Sequence, residues 1–326
     1  MKESSQTFAS FNMPDKAILD KTVLVSGADA LFGDLMTDCL RSLRTLGYDG
    51  AVVILDFGLT KAQLALLTSL QAQVRQVHVP DRYQELIDAG KLAGPKGANV
   101  LLMKPYLPEI LPDYDRFVFV DADCWFQTLD ALCGLITFCV ESDFVAVSQR
   151  SRFHDWDSAR GNGIEFNLFG QPLRRNWYTM FANKSSLPKS DKKLMAESAI
   201  INAGVFSAHK DSPIWQAWQE EMYKAVLALP PRRKYGADQL GLGLAVYKHH
   251  ISHLLLPEIC NWHTAYRYDE ARGLFTQTMP FYKPVSLMHL AGIHPHNTTR
   301  PVLQADGSFR EMDLTFDHWQ KHTGNS

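Results

Sequence analysis

The chain has 326 residues, 46% of them hydrophobic and 21% charged, with 33 Lys plus Arg against 35 Asp plus Glu and a formal net charge of −2. That balance excludes a disordered, collagen-like or coiled-coil chain and supplies enough apolar surface for a sizeable core. It leaves no global basic field for nucleic acid, and the five cysteines, Cys39, Cys124, Cys133, Cys139 and Cys260, lack the spacing of a disulfide framework or a zinc knuckle.

Residues 1–20 are rich in Ser, Lys and Asp without an apolar h-region, so they read as a disordered or leader tail rather than a signal peptide. Thr22–Val25 is a short buried strand that stops at Ser26-Gly27. Leu31, Leu35, Cys39, Leu43 and Leu46 then recur at helical spacing, with Gly47 where a helix-ending glycine sits. A strand follows at Ala51–Leu55, a helix from Thr60 with Leu64, Leu67 and Leu70 on one stripe, and a strand at Val74–Val79. Strands alternating with helices imply right-handed crossovers and a parallel sheet.

After a Gly- and Lys-rich connection (90–97), a helical segment leads to Pro112, and Arg116-Phe-Val-Phe-Val120 is the clearest strand in the chain. A helix spans the apolar run Leu129–Val140, which is too short for a membrane span and is broken by Asp130 and Thr137. The strand Asp143–Ser148 follows. Regular patterning then fails from Arg150 to Lys193, where nine Lys or Arg stand against four Asp or Glu among Trp156, Phe169 and Trp177. A long irregular stretch of this kind reads equally as a solvated basic loop or as an acceptor loop, with Arg174 and Arg175 meeting acidic groups or an anionic membrane surface. Order resumes at Ala199–Asn202, and Ser212-Pro213 starts a helix striped by Ile214, Trp218, Met222, Val226 and Leu229. A further helix runs through Leu240 and Val246, with His249, His250 and His253 near its end, and a strand covers Pro284–Met288. No repeat and no linker divides the chain. The organisation is a tail (1–20), one catalytic domain (21–300) with a basic insert (150–198), and a C-terminal extension (301–326).

Asp121 and Asp123 leave the carboxyl end of a central strand, the edge where open α/β sheets bind ligands. Ala122 between them is small enough for the chain to bend, so both carboxylates can turn to one point and form a hard-oxygen site for Mg²⁺ or Mn²⁺. A solvated acidic turn is the bland alternative. Gly27-Ala-Asp-Ala-Leu-Phe-Gly33 is a partial dinucleotide fingerprint that lacks the middle glycine. An NAD-dependent oxidoreductase is therefore the weaker reading, and it leaves Asp121, Asp123 and His289 unexplained.

Phe119-Val-Asp-Ala-Asp123, Asn202-Ala-Gly-Val-Phe206, Ala237-Asp-Gln239, Leu55-Asp-Phe-Gly-Leu-Thr60 and His289-Leu-Ala-Gly292, in this order along most of the chain, resemble the GT-A-fold glycosyltransferases of family 8. The resemblance implies an α/β fold with a mostly parallel central sheet flanked by helices, and transfer of a hexose from a nucleotide-sugar donor, UDP-linked, to an acceptor hydroxyl with retention. It implies that Ala28 and Asp29 hold the nucleoside and that Lys104 contacts the donor. It implies that Asp121 and Asp123, with Ala122 between them, bind Mn²⁺ (or Mg²⁺) together with His289. Asn202, Asp238 and Gln239 would line the sugar, and the turn Gly292–His294 would face the diphosphate. The family continues its histidine motif to a lysine, whereas this chain reads His289-Leu-Ala-Gly-Ile-His-Pro-His296, leaving His294 or His296 to supply the positive charge. The implied partners are the nucleotide sugar and a glycan, lipid-linked or protein acceptor. Nucleic acid and a membrane span are not expected, a peripheral membrane contact is compatible with the basic insert, and a cytoplasmic location follows as the expectation. A protein that binds nucleotide sugars without turnover is the alternative from another class.

Overall fold

Residues 12–89, 92, 98–148, 166–168, 171–173, 177–263, 265–278 and 282–323 are described by a computed structural model. Its strands are β1 (Thr22–Ala28), β2 (Ala51–Asp56), β3 (Gln73–Gln76), β4 (Arg116–Val120), β5 (Cys124–Phe126), β6 (Phe144–Ser148), β7 (Phe166–Leu168) and β8 (Gln171–Leu173), followed by β9 (Ile201–His209), β10 (His253–Leu256), β11 (Arg267–Asp269), β12 (Leu274–Thr276), β13 (Leu287–His289), β14 (Thr299–Leu303) and β15 (Phe309–Asp313). Seven of them form the central sheet in the order β10-β6-β9-β4-β1-β2-β3. Within it β1, β2, β3 and β4 pair in parallel, as do β6 and β10, while β9 runs antiparallel between β4 and β6. The sheet is mostly parallel, as the strand–helix alternation requires.

The sheet is buried on both faces because its strands are apolar at successive positions. Val23, Val25, Phe117 and Phe119 turn to one side, against Trp218 and Met222 of the helix Ile214–Ala228 and Leu240 and Leu244 of the helix Ala237–Lys248. Leu24, Val118 and Val120 turn to the other, against Met36, Cys39, Leu40 and Leu43 of the helix Gly33–Thr45 and Leu132, Leu135 and Ile136 of the helix Asp130–Phe138. The last of these helices is the apolar run Leu129–Val140. No helix among the described residues is long and apolar enough to cross a membrane.

Small differences from the expected elements have local causes. Leu31 is not on the first helical stripe: it is 40% exposed, in a turn held by the Asp29 carboxylate, and the helix starts at Gly33. Gly47 does end that helix, at a φ of +83° that glycine adopts without strain. Thr60 caps its helix reciprocally with Gln63. The strand expected over Val74–Val79 is β3, shorter and at the sheet edge. The strand expected over Pro284–Met288 narrows to β13.

Residues 1–11 of the expected tail lie outside the described residues, but Lys16–Leu19 is a helical turn with Ile18 and Leu19 against the core. Trp156, Phe169, Arg174 and Arg175 of the basic stretch also lie outside the described residues. The part that is described is not patternless: Trp177–Lys184 and Lys189–Glu197 are helices. Tyr178, Phe181 and Ala182 are buried at i, i+3 and i+4, a helical stripe that the surrounding charge concealed.

The segment from 301 onward folds against the rest of the chain. β14 and β15 join β11 and β12 in a four-stranded sheet, and the indole of Trp319, in the helix Phe316–Thr323, lies 5.2 Å from that of Trp125. Trp125, Trp262, Tyr266, Phe275 and Phe316 complete this third apolar cluster, which braces β5 and β13.

Candidate active site

β4 ends at Val120, and Asp121 follows it on the carboxyl edge of the sheet. The backbone N–H of Asp121 donates to the Gly204 carbonyl at 2.8 Å, which ties this end of β4 to the start of β9. The chain then turns, and β5 pairs antiparallel with β13 so that Cys124 faces His289. The N–H of Leu290 donates to the Asp123 carbonyl, and that of His289 to the Trp262 carbonyl, each at 2.8 Å. Asp123 and Leu290, more than 160 positions apart, are thus joined through the backbone, and Trp262 holds His289 from its other side.

The His289 imidazole is buried. Its Nδ1 lies 2.7 Å from Asn261 Oδ1, an acceptor, so Nδ1 carries the proton. Nε2 then faces the carboxylates, 3.3 Å from Asp123 Oδ1 and 4.0 Å from Asp121 Oδ2. Burial alone would lower the His289 pKa, but the charge of Asp123 and the hydrogen bond to it outweigh burial and raise it. Burial likewise opposes ionisation of Asp123, yet His289 holds its carboxyl below the usual value. Asp121 is raised, chiefly by burial and against the pull of Lys104.

Lys104 is buried, in the 3₁₀ turn Lys104–Tyr106, with its ammonium 4.9 Å from the Phe119 ring centroid. Its Nζ lies 3.1 Å from Asp121 Oδ1, 3.0 Å from Asp238 Oδ2 and 3.1 Å from the Ala203 carbonyl. An ammonium has three N–H groups, so these acceptors engage all of them. Burial opposes its charge, but Asp121 and Asp238 raise its pKa well above the usual lysine value.

Asp238 and Gln239 sit in the first turn of the helix Ala237–Lys248, where the helix dipole favours a carboxylate. The Asp238 carbonyl also accepts from Trp218 Nε1 at 3.0 Å. Asn202 is buried beside this group, and its Oδ1 accepts from the Gly204 N–H at 2.7 Å. Gly204 lets these side chains approach the backbone closely: a Cβ there would overlap the Asp121 carboxylate and lie 2.9 Å from His289 Cε1.

The structure therefore brings Lys104, Asp121, Asp123, Asn202, Asp238 and His289 together, with Ala122 buried between the two carboxylates and Gln239 next to Asp238. Ala28 and Asp29 stand apart from that group, at the end of β1 on the same sheet edge. Asp29 Oδ1 accepts from the N–H groups of Leu31 at 3.0 Å and Phe32 at 3.2 Å. Those are the amides a dinucleotide pyrophosphate would need at the start of the helix, so the partial glycine fingerprint does not present a cradle. Gly292 makes its turn at φ +73°. His294 beyond it is exposed, with its ring 5.5 Å from that of His296.

Three participants were missed from the sequence. Asn261 orients His289 from a loop with no motif. Gly204 belonged to a recognised stretch, but the close approach it allows is a tertiary property. Cys124 has its sulfur within 4.8 Å of ligand atoms of both Asp123 and His289, and burial, with both carboxylates, pushes its thiol well up, so it remains protonated.

Comparisons with known proteins agree with this architecture. No family model matches the sequence, and no curated protein matches it. Among solved structures, a galactosyltransferase, LgtC, in complex with donor and acceptor sugar analogs superposes with a TM-score of 0.51 at 15% identity, covering 93% of this chain and 95% of that one. An active-site glutamine-to-glutamate mutant of LgtC gives a TM-score of 0.51 at 13% identity over the same shares of both chains. The apo bifunctional glycosyltransferase WbbM gives 0.54 at 14% identity over 97% of this chain, which spans about half (52%) of WbbM. The chain has the GT-A fold of these glycosyltransferases.

Proposed function

We propose that the protein is a glycosyltransferase that moves a hexose from a nucleotide-sugar donor, UDP-linked, to an acceptor hydroxyl with retention of configuration. The observation that carries this reading is the His289 Nε2 facing Asp121 and Asp123 at the carboxyl edge of β4. The fold, shared with transferases of this class, supports it.

The donor atoms fit a divalent cation. Two carboxylates and an imidazole with its proton on the far nitrogen suit Mn²⁺ better than Mg²⁺, which prefers oxygen throughout. Asp121, Asp123 and His289 would hold the ion. When bound, it would supply positive charge to the departing diphosphate.

The chain's own residues do the rest. Lys104 ties Asp121 to Asp238, which sets the carboxylate of the helix Ala237–Lys248 at a fixed distance from the donor-binding edge. Asp238, Gln239 and Asn202 would line the sugar. Ala28 and Asp29 would meet the nucleoside. The turn Gly292–His294 would meet the diphosphate, with His294 or His296 facing it. Among the described residues no second carboxylate pair suggests a double displacement, so the acceptor hydroxyl attacks on the face the diphosphate leaves. The acceptor is a glycan, free or carried on lipid or protein.

Asp123→Ala tests the reading. It is expected to lower Mn²⁺-dependent hydrolysis and transfer of UDP-glucose or UDP-galactose by at least about 100-fold, with the far-UV circular dichroism unchanged. Near-normal turnover would defeat the assignment. Donor binding by the unaltered protein without any hydrolysis or transfer would mark a nucleotide-sugar-binding protein instead.

A further inference from the structure

The segment that leads into Asp238 reads Pro230-Pro-Arg-Arg-Lys-Tyr235. Pro231–Gly236 is a 3₁₀ helix that runs without a break into the helix Ala237–Lys248. Its two prolines restrict the backbone on the entry side. In a 3₁₀ helix the side chains at i and i+3 lie one above the other, which puts Arg232 and Tyr235 on one face. Both are exposed, Tyr235 at 60%. Arg233 lies over the Phe181 ring at 5.5 Å, and the same Phe181 ring meets the Tyr235 ring edge-on at 5.5 Å and 88°. The tyrosine is therefore held in place from behind while its outer face stays open.

Neither Arg232 nor Arg233 has a carboxylate partner among the described residues, and the nearest acidic residue along the chain, Asp238, is engaged by Lys104. At a rise of about 2 Å per residue, Tyr235 lies about 6 Å and Arg232 about 12 Å along the chain from Asp238, the scale of a short saccharide.

We propose that Arg232 and Tyr235 form an acceptor-binding surface for an acidic saccharide. The Tyr235 ring carries a sugar face, and the Arg232 guanidinium takes a phosphate or carboxylate substituent through paired hydrogen bonds. This rests on the glycosyltransferase reading and names the acceptor class for it. A single substituent, rather than a polyanion or a membrane, fits because consecutive 3₁₀ residues splay apart, so Arg232, Arg233 and Lys234 do not share a face.

The test is calorimetric titration of the full chain with glucose, glucose 6-phosphate, glucuronate and inorganic phosphate. The two acidic sugars are expected to bind about 10-fold tighter than glucose, and the tighter of them identifies the anion. Arg232→Glu should abolish the preference, Arg232→Lys should retain part of it, and Tyr235→Ala should weaken all three sugars. Equal affinity for charged and uncharged sugars, or a preference that survives Arg232→Glu, overturns the proposal. Inorganic phosphate binding as tightly as glucose 6-phosphate overturns the saccharide part of it. Hydrolysis of UDP-glucose by the unaltered protein is measured separately: its absence alongside intact acidic-sugar binding rejects the transferase reading and leaves the acidic-sugar site.

Discussion

Lys104 and Asp238, 134 positions apart in the chain, meet at 3.0 Å inside the protein. The same ammonium reaches Asp121 at 3.1 Å. One buried cation therefore sets the spacing between the carboxylate that follows β4 and the carboxylate that opens the helix Ala237–Lys248.

Lys104→Met leaves the buried Asp238 and the half-buried Asp121 without this counter-charge. Removing one partner of a buried ionic group costs about 3–5 kcal/mol, so urea denaturation should show a loss of that order. Lys104→Arg keeps the charge and should recover part of the stability, less than all of it because a planar guanidinium does not match three acceptors placed around an ammonium.

Asn261→Ala removes the acceptor that keeps the His289 proton on Nδ1. Loss of such an orienting partner typically lowers metal affinity by about 10–100-fold. Titration with Mn²⁺ followed by electron paramagnetic resonance should show this shift in the variant. An unchanged Mn²⁺ affinity would mean that His289 needs no orientation from Asn261.

Asp38 gives a pH dependence away from the site. Burial pushes its carboxyl up to about 6, above the ordinary 3.8, against a 3.5 Å hydrogen bond from the Asp317 N–H, a 3.9 Å approach of Arg41 and the backbone of Phe316, which offset it in part. A raised carboxyl pKa means that the folded chain holds the proton more tightly than the unfolded one. Stability from this group therefore falls as pH rises from about 4 to 6 and stays lower above that. Asp38→Asn should stabilise the protein by about 1–3 kcal/mol at neutral pH and by little near pH 4. Equal gains at both pH values in urea denaturation would refute this account.

Much of this protein was legible along the chain. The run Phe117–Val120, followed by Asp121 and Asp123, announced a central strand and its ligand edge, because buried parallel strands are apolar throughout and polar residues mark where they end. Helix ends at Gly47 and Thr60 were equally local, since a positive φ and a capping box are properties of a few consecutive residues. The helix Trp177–Lys184 escaped notice because its stripe is short and the charge around it dominates the composition.

The sequence by itself determined the alternation of strands and helices, the carboxylate pair, and the residue types that meet there. Only the tertiary structure decided that β9 runs backwards between β4 and β6, that Asn261 orients His289, that the Asp121 carboxylate packs against Gly204, and that Lys104 spends its N–H groups on two carboxylates and a carbonyl. The physical reason is range. Propensity, capping and hydrophobic period act over a few residues, whereas buried charge and hydrogen-bond satisfaction are settled between side chains that become neighbours only when the sheet is assembled.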